Sequence, residues 1–117
     1  MDRNKDSKGQ SVGDEIIVLI TTSTGDEAAK IGSVLVDEHL AACVNIVPEV
    51  RSLFFWEGKT RDERETLLIC KSRLPRMEQL VARVKSLHSY TVPEVIALPI
   101  VAGSRDYLDW VKDATKE

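Results

Sequence analysis

The sequence contains only two cysteines among its 117 residues, Cys43 and Cys70. Two cysteines cannot build the disulfide framework of a small secreted domain, and both lie inside apolar runs, which predicts buried free thiols in a reducing compartment. The first 15 residues contain no apolar stretch of the kind that forms a signal peptide. We therefore expect a cytoplasmic location.

Long apolar runs and an excess of positive charge are also missing. The longest apolar run, from Val95 to Ala102, contains Pro99 and is far shorter than the roughly 18 residues of a membrane span. The 16 basic residues stand against 19 acidic ones, for a net charge of −3, whereas nucleic-acid-binding domains usually carry a basic patch. Neither a membrane nor a nucleic acid is expected as a partner.

The remaining composition is typical of one globular domain. Apolar residues make up 43% of the chain and charged residues 30%, and a domain of this length buries roughly 65% of its unfolded surface without disulfides or metals. Residues 1–15 are almost entirely polar or charged and are expected to form a disordered tail. The folded domain is expected to span residues 16–117.

The amino-terminal half of this domain predicts a strand followed by a helix. Residues 16–20 form a continuous, mostly β-branched apolar run, which favours a strand buried on both faces. Thr24 and Glu27 match a capping box, so a helix is expected from there to about Glu38. The residues expected on its buried face are Ala28, Ile31, Leu35 and His39.

The rest of the chain predicts a hairpin, a second helix, a fourth strand and a last helix. Residues 41–56 and about 63–71 form the hairpin strands around a turn at 57–60, with a bulge at Pro48. The second helix begins near Pro75, the fourth strand covers 94–100, and Ser104 caps the last helix. The apolar face of the second helix comprises Met77, Leu80, Val81, Val84 and Leu87. This order predicts an α+β, ferredoxin-like split β-α-β fold.

The predicted sheet is apolar on both faces. Helices cover only one face of a two-layer domain, so the other face should alternate to polar residues. Residues 53–56 and 67–69 instead carry large apolar side chains in succession, which predicts a subunit interface. The alternative is a monomer whose last helix folds back over the sheet.

No sequence motif of a catalytic centre is present. Gly58-Lys59-Thr60 resembles the end of a phosphate-binding loop, but the first glycine of that motif would fall at Leu53, and the tripeptide lies in a hairpin. The chain also lacks nucleophile-elbow and zinc-site patterns. A non-enzymatic protein is therefore expected, and an enzyme using His88 and Glu94 as acid and base ranks last among the alternatives.

The connection after the second helix concentrates side chains with functional chemistry. His88, Tyr90 and Glu94 lie within seven residues, and loops often carry binding residues. Imidazole and carboxylate groups ligate divalent metals. A structural alternative is that His88 caps the carboxyl end of the second helix, where positive charge suits the helix dipole. The residues alone leave both interpretations open.

Four ordered sequence blocks resemble the CutA divalent-cation-tolerance proteins. They are LAACVNIVP at 40–48, SLFFWEGK at 52–59, HSYTVPE at 88–94, and LPI followed by DYLDW within 98–110. The resemblance implies a ferredoxin-like subunit with a long hairpin between its second and third strands, in a homotrimer like the PII signalling proteins. It also implies a role in tolerance of divalent metals, copper especially, without enzymatic activity.

The resemblance further implies where metal and other ligands would bind. The copper ligands described in the family correspond to Ile20, Leu87 and His88, and only His88 carries a metal-binding side chain. Copper or another divalent cation is therefore expected at His88. Alternatives are a PII-like sensor that binds a small anion through Lys71 and His88, or a partner-binding trimer. Besides His88, the residues expected to line clefts between subunits are Trp56, Lys71, Tyr90 and Glu94.

Overall fold

The computed structural model of the protein describes residues 13–117. Most of the predicted tail, residues 1–12, lies outside the described residues. The elements in chain order are β1 (Glu15–Thr22), α1 (Gly25–Asp37), β2 (Cys43–Trp56), β3 (Lys59–Arg73), a short 3-10 helix (Leu74–Arg76), α2 (Met77–Leu87), β4 (Val95–Pro99) and α3 (Arg105–Ala114).

The four strands form one antiparallel sheet in the order β2-β3-β1-β4. Together with the two crossover helices α1 and α2, this order is the predicted ferredoxin-like arrangement. The pairing of β1 with β3 covers only residues 66–73 of β3. Residues 59–65 of β3 therefore pair with β2 alone, and the hairpin projects beyond the rest of the sheet, in a molecule 57 Å long.

The core lies between the two crossover helices and one face of the sheet. Gly32 lets α1 approach this face closely, because a β-carbon there would lie only 3.2 Å from Cγ1 of Val44. The completely buried residues that fill this layer are Val18, Ile20, Ala28, Ile31, Leu35, Leu68, Cys70, Leu80 and Val84. Both cysteines are free thiols; Cys70 is buried and Cys43 is half-buried. Burial raises the pKa of the Cys70 thiol to about 12.

Both ends of α1 depend on local backbone chemistry. The hydroxyl of Thr24 accepts a hydrogen bond of 3.1 Å from the N–H of Glu27, as the capping box predicts. The Glu27 carboxylate, however, accepts from the N–H and hydroxyl of Ser23. His39 has a φ of 61° just after the helix, and this left-handed turn leaves it exposed. The predicted burial of His39 is therefore wrong.

The hairpin is longer than its sequence pattern suggested. β3 begins at Lys59, about four residues earlier than predicted, because Glu57 and Gly58 have φ values of 52° and 82° and form a tight two-residue turn. The register shifts between Val47 and Val50, at the bulge expected from Pro48. As a result, the polar residues that follow the turn are part of strand β3.

The last helix covers only part of the sheet. α3 begins after Ser104 as predicted, although the Ser104 hydroxyl makes no capping hydrogen bond. Its carboxyl end is held by Arg73, which donates to the hydroxyl and the carbonyl of the buried Thr115 at 2.9 and 3.1 Å. Tyr107 and Trp110 pack against each other and stay exposed. None of the helices within residues 13–117 has the length and apolar character to cross a membrane.

Candidate functional site

A groove of about 890 Å³ opens where the hairpin extends past the end of β1. Its volume falls within the range of roughly 300–1,000 Å³ typical of small-molecule pockets. The groove is bounded by the end of β1, the two hairpin strands and the loop before β4. Its lining residues are Thr21, Ser23, Arg51, Ser52, Leu53, Phe54, Trp56, Arg61, Glu63, Glu65, Tyr90, Thr91, Val92 and Glu94.

Three of the four predicted cleft residues meet in this groove. Trp56, Tyr90 and Glu94 line it, whereas Lys71 does not. Lys71 lies nearer the other end of β3, opposite Cys43, and its ammonium group donates to the side-chain carbonyl of Asn45. A place for Lys71 in a cleft between subunits stays a prediction.

His88 lies behind the groove, with its side chain fully shielded from solvent. Its Nε2 is 2.7 Å from the carbonyl oxygen of Thr21, and its Nδ1 accepts a 3.0 Å hydrogen bond from the N–H of Tyr90. With Nδ1 as the acceptor, Nε2 is the ring nitrogen that donates to the Thr21 carbonyl. Metal coordination by His88 stays a prediction, and it requires the ring to give up one of these two hydrogen bonds.

Glu27 ties the loop after α2 to the beginning of α1. Its carboxylate accepts from the N–H of Ser89 at 2.7 Å and from the Ser89 hydroxyl at 3.1 Å. Burial alone would raise the pKa of Glu27, but the hydrogen bonds from Ser89 and Ser23 lower it below its usual value. Ionised Glu27 therefore stabilises the folded chain, and this contribution is lost as the pH falls through its lowered pKa.

The acidic end of the groove is formed by Glu65, Tyr90 and Glu94. The Tyr90 hydroxyl donates to the buried Glu65 carboxylate at 2.7 Å. Burial and this hydrogen bond raise the pKa of Tyr90, so that the phenol remains a donor. Burial, with a further contribution from Glu65, also raises the pKa of Glu94. Two neighbouring carboxylates of this kind favour a cationic ligand.

The hairpin supplies basic groups to the same groove. Arg51 forms a two-point contact with Asp62, at 2.9 and 2.6 Å. Arg61 approaches Glu57 at 3.4 Å, while its Nε is buried and lacks a hydrogen-bond partner among residues 13–117. The groove is therefore lined by carboxylates and by guanidinium groups.

Sequence reasoning missed the charged residues that β3 contributes to the groove. Arg61, Glu63 and Glu65 alternate along the strand, and this spacing of two places them on one face. The alternation was present in the sequence, but Arg61 lies before the predicted start of β3, so only Glu63 and Glu65 fell within that strand.

One chain does not provide a copper centre. Within the part of the chain that the structure describes, no three His, Cys, Asp or Glu side chains come together as a metal-binding group. Of the positions that correspond to copper ligands, Ile20 is completely buried in the core and Leu87 packs against that core. The donor set within a single chain thus does not fit a three-ligand site.

Comparison with known proteins identifies the family. Residues 16–114 match the sequence model of a family described as CutA1 divalent ion tolerance protein. The chain belongs to this family. The resemblance seen in the four sequence blocks is thereby confirmed.

Individual relatives agree with this assignment. The chain is 48% identical over 101 residues to the divalent-cation tolerance protein CutA of Thermus thermophilus, which covers 86% of this chain and 98% of that protein. It is 46% identical to the chloroplastic CutA of Arabidopsis thaliana over 86% of this chain but only 56% of that longer protein. The crystal structure of CutA1 from Oryza sativa superposes with a TM-score of 0.87 at 42% identity, covering 91% of this chain and 97% of that one.

Replacing His88 by Ala is expected to lower stability. The substitution removes a buried ring and leaves the carbonyl of Thr21 and the N–H of Tyr90 without partners, which costs about 1–3 kcal/mol per unsatisfied group. Urea denaturation at fixed protein concentration measures the loss. His39→Ala is the matched control, since His39 is exposed and makes one contact of 3.3 Å with Ala114. Equal losses in the two variants would contradict a structural role for His88.

Proposed function

We propose that the chain is a non-enzymatic, homotrimeric divalent-cation tolerance protein. Membership of the CutA1 family supports the tolerance role. The observation that supports the proposed assembly is the apolar surface that remains exposed when a single chain folds. The metal site is proposed to be completed only when the subunits assemble.

The sheet face opposite α1 and α2, here called the outer face, supports self-association. Ile96 and Leu98 on β4 pair with Leu19 and Ile17 of β1 and remain 51% and 49% exposed. The projecting hairpin adds Leu53 and Phe55 on its other face, where they are 67% and 73% exposed. Apolar surface of this kind on a small domain is typical of a protein–protein interface.

The sheet edges support a ring rather than a pair of subunits. β2 and β4 form opposite edges of the sheet, and edge strands readily pair with another chain. When β4 of one copy contacts β2 of the next, the contact is head-to-tail, and such contacts form a ring when the rotation between copies closes. The number three comes from the family resemblance.

Carboxylates at the acidic end of the groove are the proposed cation ligands. Glu65 and Glu94 influence each other electrostatically, and a bound cation would relieve their repulsion. Because residues 13–117 of one chain bring no third ligand to these carboxylates, the remaining ligands come from a second copy in this proposal. Copper is the first metal to test because of the family resemblance, and coordination by His88 is the competing location.

Titration calorimetry with copper(II) and zinc(II) tests the metal proposal on the full chain. Glu94→Gln should weaken binding by about tenfold, the effect of removing one charged ligand contact. Glu78→Gln on the exposed surface of α2 is the matched control and should leave the affinity unchanged. Undiminished affinity in Glu94→Gln, with binding lost in folded His88→Ala, would place the metal at His88.

A small-anion sensor is the second candidate function, favoured by Arg61, which lines the groove and whose buried Nε has no hydrogen-bond partner among residues 13–117. Its cationic contacts would be Arg61 and Arg51 rather than the predicted Lys71. Titration with nucleotides under the same conditions distinguishes this candidate, which requires saturable binding that Arg61→Gln weakens.

A further inference from the structure

A second depression lies on the helical side of the molecule, away from the groove. It has a volume of about 390 Å³ and lies between α2 and the end of α1. Its α2 residues follow helical spacing and share one face of that helix. The residues that line it are Glu38, Leu40, Arg76, Gln79, Ala82, Arg83 and Ser86.

Arg76 is a buried cation in this depression. Its side chain is only 7% exposed, and its hydrogen bonds go to uncharged oxygens: the His39 carbonyl at 3.3 Å and Gln79 Oε1 at 2.7 Å. Among residues 13–117, the one carboxylate within 4 Å is that of Glu117, at 3.7 Å and largely exposed. Buried charges are normally paired with a hydrogen-bonded opposite charge, so Arg76 is incompletely neutralised.

The other charges in the depression balance each other. Arg83 donates from Nε to both Glu38 oxygens, at 3.0 and 3.2 Å, and from Nη2 to Oε2 at 2.9 Å. This pair leaves the charge of Arg76 as the local excess. Gln79 uses its oxygen on Arg76, so its amide N–H₂ group remains a donor beside the guanidinium.

We propose that this depression binds a phosphate group, with Arg76 as its main contact and the Gln79 amide as a second donor. A guanidinium group matches the oxygens of a phosphate in a planar, two-point arrangement. Phosphate also offers several acceptor oxygens and up to two negative charges, so a single group can contact both side chains. Glu117 is the competing internal anion.

The test titrates the full-chain protein with inorganic phosphate at constant ionic strength, using calorimetry and thermal unfolding. We expect saturable binding that raises the unfolding temperature. Arg76→Gln should weaken binding at least roughly tenfold, the effect of removing a charge-assisted hydrogen bond. Arg64→Gln, which removes an exposed arginine paired with Glu49, is the charge-matched control and should change nothing.

Two further variants keep Arg76 in place and therefore remain informative if Arg76→Gln does not fold. Glu117→Gln removes the competing carboxylate and should strengthen phosphate binding, by roughly two- to fivefold for a weak, exposed ion pair. Gln79→Glu places a carboxylate against Arg76 and should abolish binding. Glycerol 3-phosphate binding more tightly than inorganic phosphate would support a phosphorylated metabolite as the ligand, and the reverse order would support the free ion.

The proposal is overturned by any of three results. One is the absence of saturable phosphate binding to the unmodified chain. Another is equal weakening by Arg76→Gln and Arg64→Gln, which would indicate nonspecific attraction to positive charge. The third is acetate binding as tightly as phosphate, which would remove the preference for a phosphate group.

Discussion

Leu98→Glu is expected to convert the assembled protein into monomers of 13.1 kDa. Leu98 is 49% exposed on the outer face of the edge strand β4, so an isolated subunit tolerates a charged side chain there. In the proposed trimer the same position is covered by another subunit. Burying an unpaired carboxylate at an interface costs several kcal/mol, enough to dissociate the subunits at micromolar concentration.

Sedimentation equilibrium of the Leu98→Glu variant measures this effect. Val36→Glu is the matched control, because Val36 is 38% exposed on α1, in the helical layer rather than on the outer face. It introduces the same charge and should leave the mass of the assembly unchanged. A Leu98→Glu variant that stays fully assembled would exclude β4 from the interface.

Leu35→Ala is expected to destabilise the fold by about 2–5 kcal/mol, the range for truncating a completely buried leucine. Leu35 is 0% exposed and packs from α1 into the core against the sheet. The substitution creates a cavity that rigid neighbours on both layers fill only partly. Urea denaturation measures the change, and all variants are compared at one protein concentration because assembly makes stability concentration-dependent.

The neighbouring residue provides the control for Leu35. Val36 is the next residue of α1 and is partly exposed, so Val36→Ala should change stability by only about 0.5 kcal/mol. A loss of similar size in both variants would show that burial in the core does not determine the effect.

Much of this fold could be predicted from hydrophobic periodicity. The alternation of strands and helices was sufficient for the ferredoxin-like order, because each element has a distinct apolar pattern. The start of β3 was not predictable, since it depends on positive φ values at Glu57 and Gly58 that direct polar residues into the sheet. His39 was misplaced for a similar reason, because its left-handed backbone ends the helical pattern.

The candidate site was predictable only in part. Trp56, Tyr90 and Glu94 line the groove, and the sequence predicted all three as cleft residues. The contact between His88 and the Thr21 carbonyl joins positions 67 residues apart, and only the folded chain brings them together. The cytoplasmic location, copper binding and the absence of enzymatic activity stay predictions.

The mass of the unmodified chain in solution tests the central claim most directly. Sedimentation velocity from nanomolar to micromolar concentration should give a single species of three 13.1 kDa chains, about 39 kDa in total. That result would match a trimer formed through the outer face and the hairpin. A 13.1 kDa monomer throughout this range would contradict the trimer and, with it, any metal site completed by a second copy.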